Sequence, residues 1–157
     1  MQTRLPRAPR IHAPDGMPAP TIHLFSFGYK FSGPPRDDSG HGGGFVFDCR
    51  ALPNPYWDEA LRPYAGTAPP IAAFFEARPE VAAFAQHAAE LVLYAARSYL
   101  TLGRERLMVA FGCTGGRHRS VYLAERLKEA LEREGFPVVL LHRDVHRAGA
   151  PGQETAP

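Results

Sequence analysis

Cysteine is scarce in this chain, and long apolar runs are missing. The 157 residues include only two cysteines, Cys49 and Cys113, which have neither the spacing of a zinc site nor the number that holds a small secreted domain together. The seven histidines are scattered without ligand spacing, so we expect no metal and no cofactor. No run approaches the roughly 18 apolar residues of a membrane span, and the N-terminus lacks the apolar core of a secretory signal. We therefore expect a cytoplasmic protein with reduced thiols and no membrane contact.

A Walker A loop is also missing, because no Gly-x-x-x-x-Gly-Lys-Ser/Thr run occurs, and this argues against a P-loop NTPase. A strong charge of one sign is absent too, since the formal net charge is +2. The basic residues are nevertheless concentrated late in the chain. Residues 97–147 hold ten Lys/Arg against six Asp/Glu, whereas residues 21–96 hold five against eight. This asymmetry fits either an acidic partner or an ordinary solvated helix face.

The chain is expected to form one domain with an extension at each end. Residues 1–20 are rich in Pro, Ala and Arg and predict a disordered basic arm. Residues 148–157 predict a disordered tail. The remaining residues, 21–147, are enough to bury a sizeable core.

Strands and helices alternate within this domain. Aromatic and β-branched runs bounded by Gly and Pro predict four strands, at residues 22–27, 45–49, 107–111 and 138–142. Apolar residues at helical spacing predict two helices, at residues 80–100 and 119–134. The alternation predicts a small layered α/β domain with a partly parallel sheet, in which the third strand lies beside the fourth. The Gly- and Pro-rich segments 32–44 and 52–70 are expected to be surface loops.

The most informative segment is the glycine-rich run at residues 112–120, which follows a predicted strand and precedes a predicted helix. That layout gathers backbone N–H groups around an anion, and the helix N-terminus adds positive charge. Arginines offer forked donors to phosphate oxygens. We therefore predict a phosphate-binding loop. The residues expected to bind the phosphate are Cys113, Thr114, Gly115, Gly116, Arg117, His118, Arg119 and Ser120.

The same run has the pattern Cys-x5-Arg-Ser, beginning at Cys113, and this pattern resembles the signature of cysteine-dependent phosphatases. In those enzymes the loop holds phosphate while the thiolate attacks phosphorus, and a helix N-terminus beside arginines favours the thiolate. Arg119 would then hold the phosphate, and Asp58 or Asp48 would have to act as the general acid. The chain departs from that signature just before Cys113, where it has Gly112. The alternative is that Cys113 is a small buried thiol that packs the turn.

Short motifs follow one another in order along most of the domain. They are FSFGYK at 25–30, VFDCR at 46–50, LPNPYW at 52–57, SYLT at 98–101, GCTGGRHRS at 112–120, AERL at 124–127 and HRD at 142–144. Together they resemble the C-terminal domain of the RNase adapter RapZ family. In full-length members this domain follows a Walker-type nucleotide-binding domain, which this chain lacks, so the resemblance implies a stand-alone version or a divergent paralogue.

The resemblance implies a binding function rather than catalysis. Members bind small regulatory RNAs, present one of them to an endoribonuclease, sense an amino-sugar phosphate, and oligomerise when full-length. The resemblance also implies that the metabolite binds to Thr114, Gly115, His118 and Arg119. Asp48 is either a partner for a sugar hydroxyl or amine, or an ordinary loop-capping residue.

RNA binding requires a basic surface, with aromatic side chains for unpaired bases. Tyr29, Tyr56 and Trp57 either stack on bases or pack over the edge of the core. The basic residues expected to contact RNA, besides the N-terminal arm, are Lys30, Arg104, Arg106, Arg117, Arg126, Arg143 and Arg147. Because the net charge is small, we expect weak, salt-sensitive binding unless the protein is a homo-oligomer. A third alternative is that the loop is a relic and the domain only mediates protein contacts.

Overall fold

The computed structural model describes residues 16–147, and it confirms the predicted α/β class. Residues 1–15 of the predicted arm and the predicted tail at 148–157 lie outside the described residues. The strands are β1 (Thr21–Gly28), β2 (Phe45–Asp48), β3 (Arg106–Cys113) and β4 (Val138–His142). The α-helices are α1 (Pro69–Glu76), α2 (Pro79–Leu102) and α3 (Arg119–Arg133), and a single 3₁₀ turn covers Pro55–Trp57.

The four strands form one sheet in the order β2-β3-β1-β4, and every pairing in it is parallel. The predicted pairing of the third strand with the fourth is wrong, because β1 lies between them and pairs with both. Burial gives the physical reason. The central strand β3 is buried at every residue after Arg106, whereas β4 alternates and exposes Val139 and Leu141, as an edge strand does.

The core lies between the sheet and the helices. Ile22 and Leu24 of β1 and Val109 and Phe111 of β3 are fully buried, and they belong to one apolar cluster with residues from all three α-helices. Leu123 represents α3, which contacts three of the strands. No helix within residues 16–147 combines the length and the apolar character that a membrane span requires.

The segment 52–70 is not the plain surface loop that the sequence predicts. It contains the 3₁₀ turn, and α1 begins within it at Pro69. Consecutive prolines suggest a break in structure, yet proline fits the first turn of a helix because its missing N–H is not needed there. Ile71 and Phe75 of α1 are buried in the core, and this burial stabilises the short helix.

Because all four strands are parallel, their carboxyl ends meet at one edge of the sheet, which we call the carboxyl edge. The chain leaves the central strand β3 at this edge and enters α3 after five residues. The glycine-rich loop therefore lies in the middle of the carboxyl edge, the usual place for a ligand site in an open parallel sheet.

Candidate functional site

The glycine-rich loop, residues 114–118, packs closely against the end of β1. A Cβ atom on Gly28 would lie 2.7 Å from the carbonyl carbon of Gly115. Gly116 has a φ of 73°, and a Cβ atom on it would lie 2.5 Å from the backbone nitrogen of Gly28. Only glycine allows this approach, so the glycines place the loop against the sheet.

The backbone N–H groups that lead into α3 are not used by the fold. Within residues 16–147, the N–H groups of residues 114–120 have no hydrogen-bond acceptor. His118 is the N-cap residue of α3, but its side chain makes no capping hydrogen bond. A cluster of donors at a helix N-terminus favours an anion through both hydrogen bonding and the helix dipole.

The Arg119 guanidinium is buried in the site, and the residue is only 3% exposed. Its Nη1 donates to the carbonyl oxygens of Arg50 at 2.8 Å and Leu52 at 3.1 Å, and its Nη2 donates to Oγ1 of Thr114 at 3.5 Å. Its Nε is buried and has no acceptor within the described residues. A buried donor without an acceptor costs about 1–3 kcal/mol, so this position favours an anion that accepts from Nε.

Arg117 repeats the arrangement on the other side of the loop. Its Nη1 donates to the carbonyl oxygen of Arg62 at 3.5 Å, and its Nη2 donates to that of Pro63 at 3.3 Å. Its Nε is buried, and residues 16–147 provide no acceptor for it. The site therefore has two guanidinium groups that are held by backbone carbonyls and keep one buried donor each.

His118 is buried and neutral. Its Nε2 lies 2.6 Å from the carbonyl oxygen of Tyr64, and because a carbonyl can only accept, Nε2 carries the proton. Desolvation, joined by the charges of Arg117 and Arg119, lowers the pKa of His118 to about 4, although the Tyr64 hydrogen bond opposes this shift. At neutral pH, His118 thus carries no charge, and its one N–H is already bonded to Tyr64, so it ties the loop to that residue.

The three basic side chains of the loop all bind one stretch of chain, residues 50–64, which we call the covering segment. Its backbone carbonyls that accept from the loop are those of Arg50, Leu52, Arg62, Pro63 and Tyr64. In return, the Gly66 N–H donates to the carbonyl of Arg117 at 2.7 Å. The loop therefore positions the covering segment beside the anion donors.

Cys113 and Ser120 meet at the base of the loop. Their Sγ and Oγ atoms are 3.1 Å apart, and both residues are buried. Asp58, one predicted general acid, lies on the exposed surface of the covering segment, where its carboxylate accepts from the Ala60 N–H at 3.0 Å. No described contact joins Asp58 to Cys113.

Asp48, the other predicted acid, lies beside the loop because it pairs with Gly112 in the sheet. Its carboxylate accepts from both Nε and Nη2 of Arg50, the latter at 2.7 Å. The hydrogen bonds from Arg50 lower the pKa of Asp48, and the charge of Arg119 adds to this effect. Asp48 is therefore an ionised carboxylate near the loop.

Residues 16–147 contain no cluster of three His, Cys, Asp or Glu side chains that could hold a metal ion.

Asp144 is a site residue that the sequence reasoning missed. It is fully buried and accepts from the Gly28 N–H at 2.8 Å and from the Ser32 hydroxyl at 2.6 Å. Arg147 pairs with it at 2.8 Å. It thereby fixes the turn after β1 against which the loop packs. The HRD motif at residues 142–144, which begins at the last residue of β4, was the signal that could have identified it.

The basic residues predicted to bind RNA are divided between the two ends of the sheet. Lys30, Arg143 and Arg147 follow β1 and β4, so they share the carboxyl edge with Arg117. Arg104 and Arg106 lie at the opposite edge, where Arg106 is 3.5 Å from Asp38. Arg126 lies on α3 and pairs with Glu129.

The predicted stacking aromatics lie around the loop, and Trp57 is the most exposed of them. Trp57, on the covering segment, is 56% exposed. Tyr56 contacts it edge-to-face, with ring centroids 5.6 Å apart. Tyr29 is covered by the guanidinium of Arg50, 3.9 Å from the ring centroid. Trp57 is therefore the aromatic side chain most available to a ligand.

Comparisons with known proteins agree with the resemblance that the motifs suggest. A family model described as the RapZ C-terminal domain matches residues 20–146. A nucleotide-binding protein of Zymomonas mobilis is 39% identical over 133 residues, which cover 85% of this chain and 39% of that protein. A nucleotide-binding protein of Thermotoga petrophila is 41% identical over 127 residues, covering 81% of this chain and 43% of that protein. This chain thus spans about two fifths of the length of these relatives.

Proposed function

The chain belongs to the RapZ C-terminal domain family, and we propose that it is a regulatory binding module that holds a phosphate group in residues 112–120 and binds RNA. One observation carries the proposal. The buried Nε donors of Arg117 and Arg119 lie beside a loop whose backbone N–H groups are not used by the fold. Phosphate oxygens suit both kinds of donor.

The small ligand that this site suits best is an amino-sugar phosphate, as the family resemblance implies. Its phosphate would accept from the loop N–H groups and from Arg119. The sugar's amine or a hydroxyl would bind the carboxylate of Asp48, which lies beside the loop, and would share that carboxylate with the Arg50 guanidinium.

RNA would use the same edge of the sheet. Arg117 lies in the loop, and Lys30, Arg143 and Arg147 follow β1 and β4 at the carboxyl edge; these side chains would contact backbone phosphates. Trp57 is exposed beside them and would stack on an unpaired base. This arrangement favours single-stranded loops and ends over a continuous duplex.

The proposal is tested by titrating the protein with a hairpin RNA that has an unpaired loop, at low and at moderate salt. Trp57 is the single tryptophan of the chain, so its fluorescence reports binding without a label. For the wild type we expect fluorescence quenching and an affinity that falls as salt rises. For the Arg117→Ala/Arg119→Ala double variant we expect much weaker binding.

Because these two arginines also hold the covering segment, circular dichroism and thermal melting must show that the double variant is folded. The Arg104→Ala/Arg106→Ala variant is the matched control, since it removes the same charge from the opposite edge. Equal affinity in the wild type and the folded Arg117→Ala/Arg119→Ala variant would refute RNA binding at the loop.

A cysteine-dependent phosphatase is the second candidate, and the 3.1 Å contact between Cys113 and Ser120 favours it. A hydroxyl at this distance would stabilise a thiolate that attacks phosphorus. The candidate predicts turnover of an aryl phosphate that is lost in both Cys113→Ser and Arg119→Ala. Turnover that survives in Cys113→Ser would exclude a phosphocysteine intermediate.

Two further partners stay predictions of the family resemblance. They are an endoribonuclease that receives the bound RNA and a second copy of the chain. A homo-oligomer would raise the apparent affinity for RNA, because several basic edges would bind one molecule. Light scattering of the purified protein measures the oligomeric state directly.

A further inference from the structure

The two cysteines, 64 positions apart in sequence, lie at the ends of neighbouring strands, because Cys113 is the last residue of β3 and Cys49 directly follows β2. The ladder between β2 and β3 includes the pair Asp48 and Gly112, so each cysteine is the next residue after a paired one. The Cys49 N–H continues the ladder by donating to the carbonyl of Gly112 at 2.7 Å. Paired residues of adjacent strands are about 5 Å apart, within the range of roughly 4.4–6.8 Å that a disulfide spans between Cα atoms.

Both side chains also point to the same face of the sheet. Cys49 and Cys113 belong to the apolar cluster beneath the helices, together with Phe111, which precedes Cys113 by two residues on β3. Residues two apart on a strand share a face, so Cys113 points to the helix side, and Cys49 does the same on β2. Burial raises the pKa of the Cys49 thiol well above its usual value, and the nearby Cys113 raises it further.

We propose that Cys49 and Cys113 form a reversible disulfide at the base of the phosphate loop when the protein meets a hydroperoxide. In the first step, the Cys113 thiolate attacks the peroxide, releases an alcohol or water, and becomes a sulfenic acid. In the second, Cys49 attacks the sulfenic sulfur, loses its proton, and releases water. The two thiols together lose two electrons and two protons, and the peroxide is reduced.

Burial makes the intramolecular product the favoured one. Cys113 is 2% exposed and Cys49 is fully buried, so a small peroxide reaches the pair more easily than a bulky thiol or a second protein molecule does. Cys113 is the thiol that reacts first, because it keeps slight exposure and its Sγ lies 3.1 Å from the Ser120 hydroxyl, whereas Cys49 is fully buried. The neighbouring thiol then captures the sulfenic acid before further oxidation.

The disulfide would act on both functions considered for the loop. It would take Cys113 away from Ser120 and remove the thiolate that a phosphatase needs. It would also tie the loop to the start of the covering segment, because Arg50 and Leu52, whose carbonyls hold Arg119, directly follow Cys49. The inference does not depend on phosphate binding, since it concerns the thiols alone.

Oxidation of the folded, full chain by hydrogen peroxide tests the proposal, with intact mass and free-thiol titration in denaturant as readouts. We expect the wild type to lose two hydrogens in mass and both free thiols, to stay the same oligomer, and to recover both thiols with dithiothreitol. A peptide map of the oxidised protein should contain one cross-linked peptide that joins the two cysteines.

The single variants Cys49→Ser and Cys113→Ser are the controls, because neither can form the bond. We expect Cys49→Ser to gain oxygen at Cys113 instead of forming a disulfide. We expect Cys113→Ser to react with the peroxide more slowly than the wild type and Cys49→Ser do. The proposal would be overturned if the wild type gained oxygen in the same way as Cys49→Ser. It would also be overturned if the wild type kept both thiols under conditions in which every Cys49→Ser molecule had reacted. A disulfide that forms only between two molecules would overturn it equally.

Discussion

His118 makes the stability of the molecule depend on pH. Desolvation, with Arg117 and Arg119, lowers its pKa to about 4 from the usual 6.5. Between these values the unfolded chain binds more protons than the folded chain, so the free energy of unfolding falls as pH falls from about 6.5 to 4. Above this window the contribution is fully present. Its size is about 3 kcal/mol, because each pKa unit corresponds to about 1.4 kcal/mol.

We therefore expect urea unfolding of the wild type to show a clear loss of stability between pH 7 and pH 5. His118→Gln keeps an N–H donor for the Tyr64 carbonyl but cannot be protonated in this range. It should be less stable at pH 7 and should lose less stability on acidification. The same loss in both proteins would show that His118 is not the titrating group.

At the residue scale, the sequence predicts a candidate anion site in the loop but not which groups of the fold its side chains contact. The forked donors and the glycines of residues 112–120 predict an anion loop, and the structure brings all of them together. No pattern predicts that Arg119 and His118 bind backbone carbonyls, because carbonyls are present at every position. These contacts join residues more than fifty positions apart, so only the fold creates them.

At the scale of elements, the contact between β1 and the loop leads to a second prediction. Gly28→Ala should destabilise the protein by about 1–3 kcal/mol, since its Cβ would lie 2.7 Å from loop backbone that has no room to move. It should also weaken phosphate binding by displacing the loop. Urea unfolding and calorimetric titration with inorganic phosphate measure these two effects.

Gly43→Ala is the matched control for this substitution. A Cβ on Gly43 would meet no atom within 4 Å, so we expect its stability and phosphate affinity to equal those of the wild type. Unchanged stability in Gly28→Ala would mean that the loop does not pack against β1 in the way described.

The regular elements are largely predictable from the sequence, whereas their arrangement is not. Apolar periodicity predicts the strands and the two long helices to within a few residues, because burial of one face dominates their stability. The same periodicity carries no information on strand order, and β1 proves to be the central partner of both β3 and β4. The helix α1 is missed because its apolar face is short and its prolines resemble a loop signal.

At the scale of the whole molecule, the basic residues predicted to bind RNA form two groups at opposite ends of the strands, apart from Arg126 on α3. The eight residues of β3 separate Arg106 from the loop by about 25 Å, at about 3.3 Å per residue. If the protein binds RNA as proposed, a short single strand would therefore contact one group at a time. The unused N–H groups and the exposed Trp57 favour the carboxyl edge.

We accordingly expect Arg117→Ala/Arg143→Ala to lower the slope of log affinity against log salt by about 1.4, since single-stranded contacts contribute about 0.7 each. Arg104→Ala/Arg106→Ala should leave the slope unchanged. Fluorescence titrations at several salt concentrations give both slopes. A lower slope only in the second variant would place RNA at the opposite edge.

The central claim is that residues 112–120 hold a phosphate group, and calorimetric titration with inorganic phosphate and an amino-sugar phosphate tests it most directly. The wild type and Arg104→Ala should bind equally well. Arg119→Ala, checked for folding by circular dichroism, should lose roughly 1.5–3 kcal/mol of binding free energy, about ten- to a hundredfold in Kd. Equal affinity in Arg119→Ala and the wild type, or no binding of either ligand to the wild type, would contradict the claim.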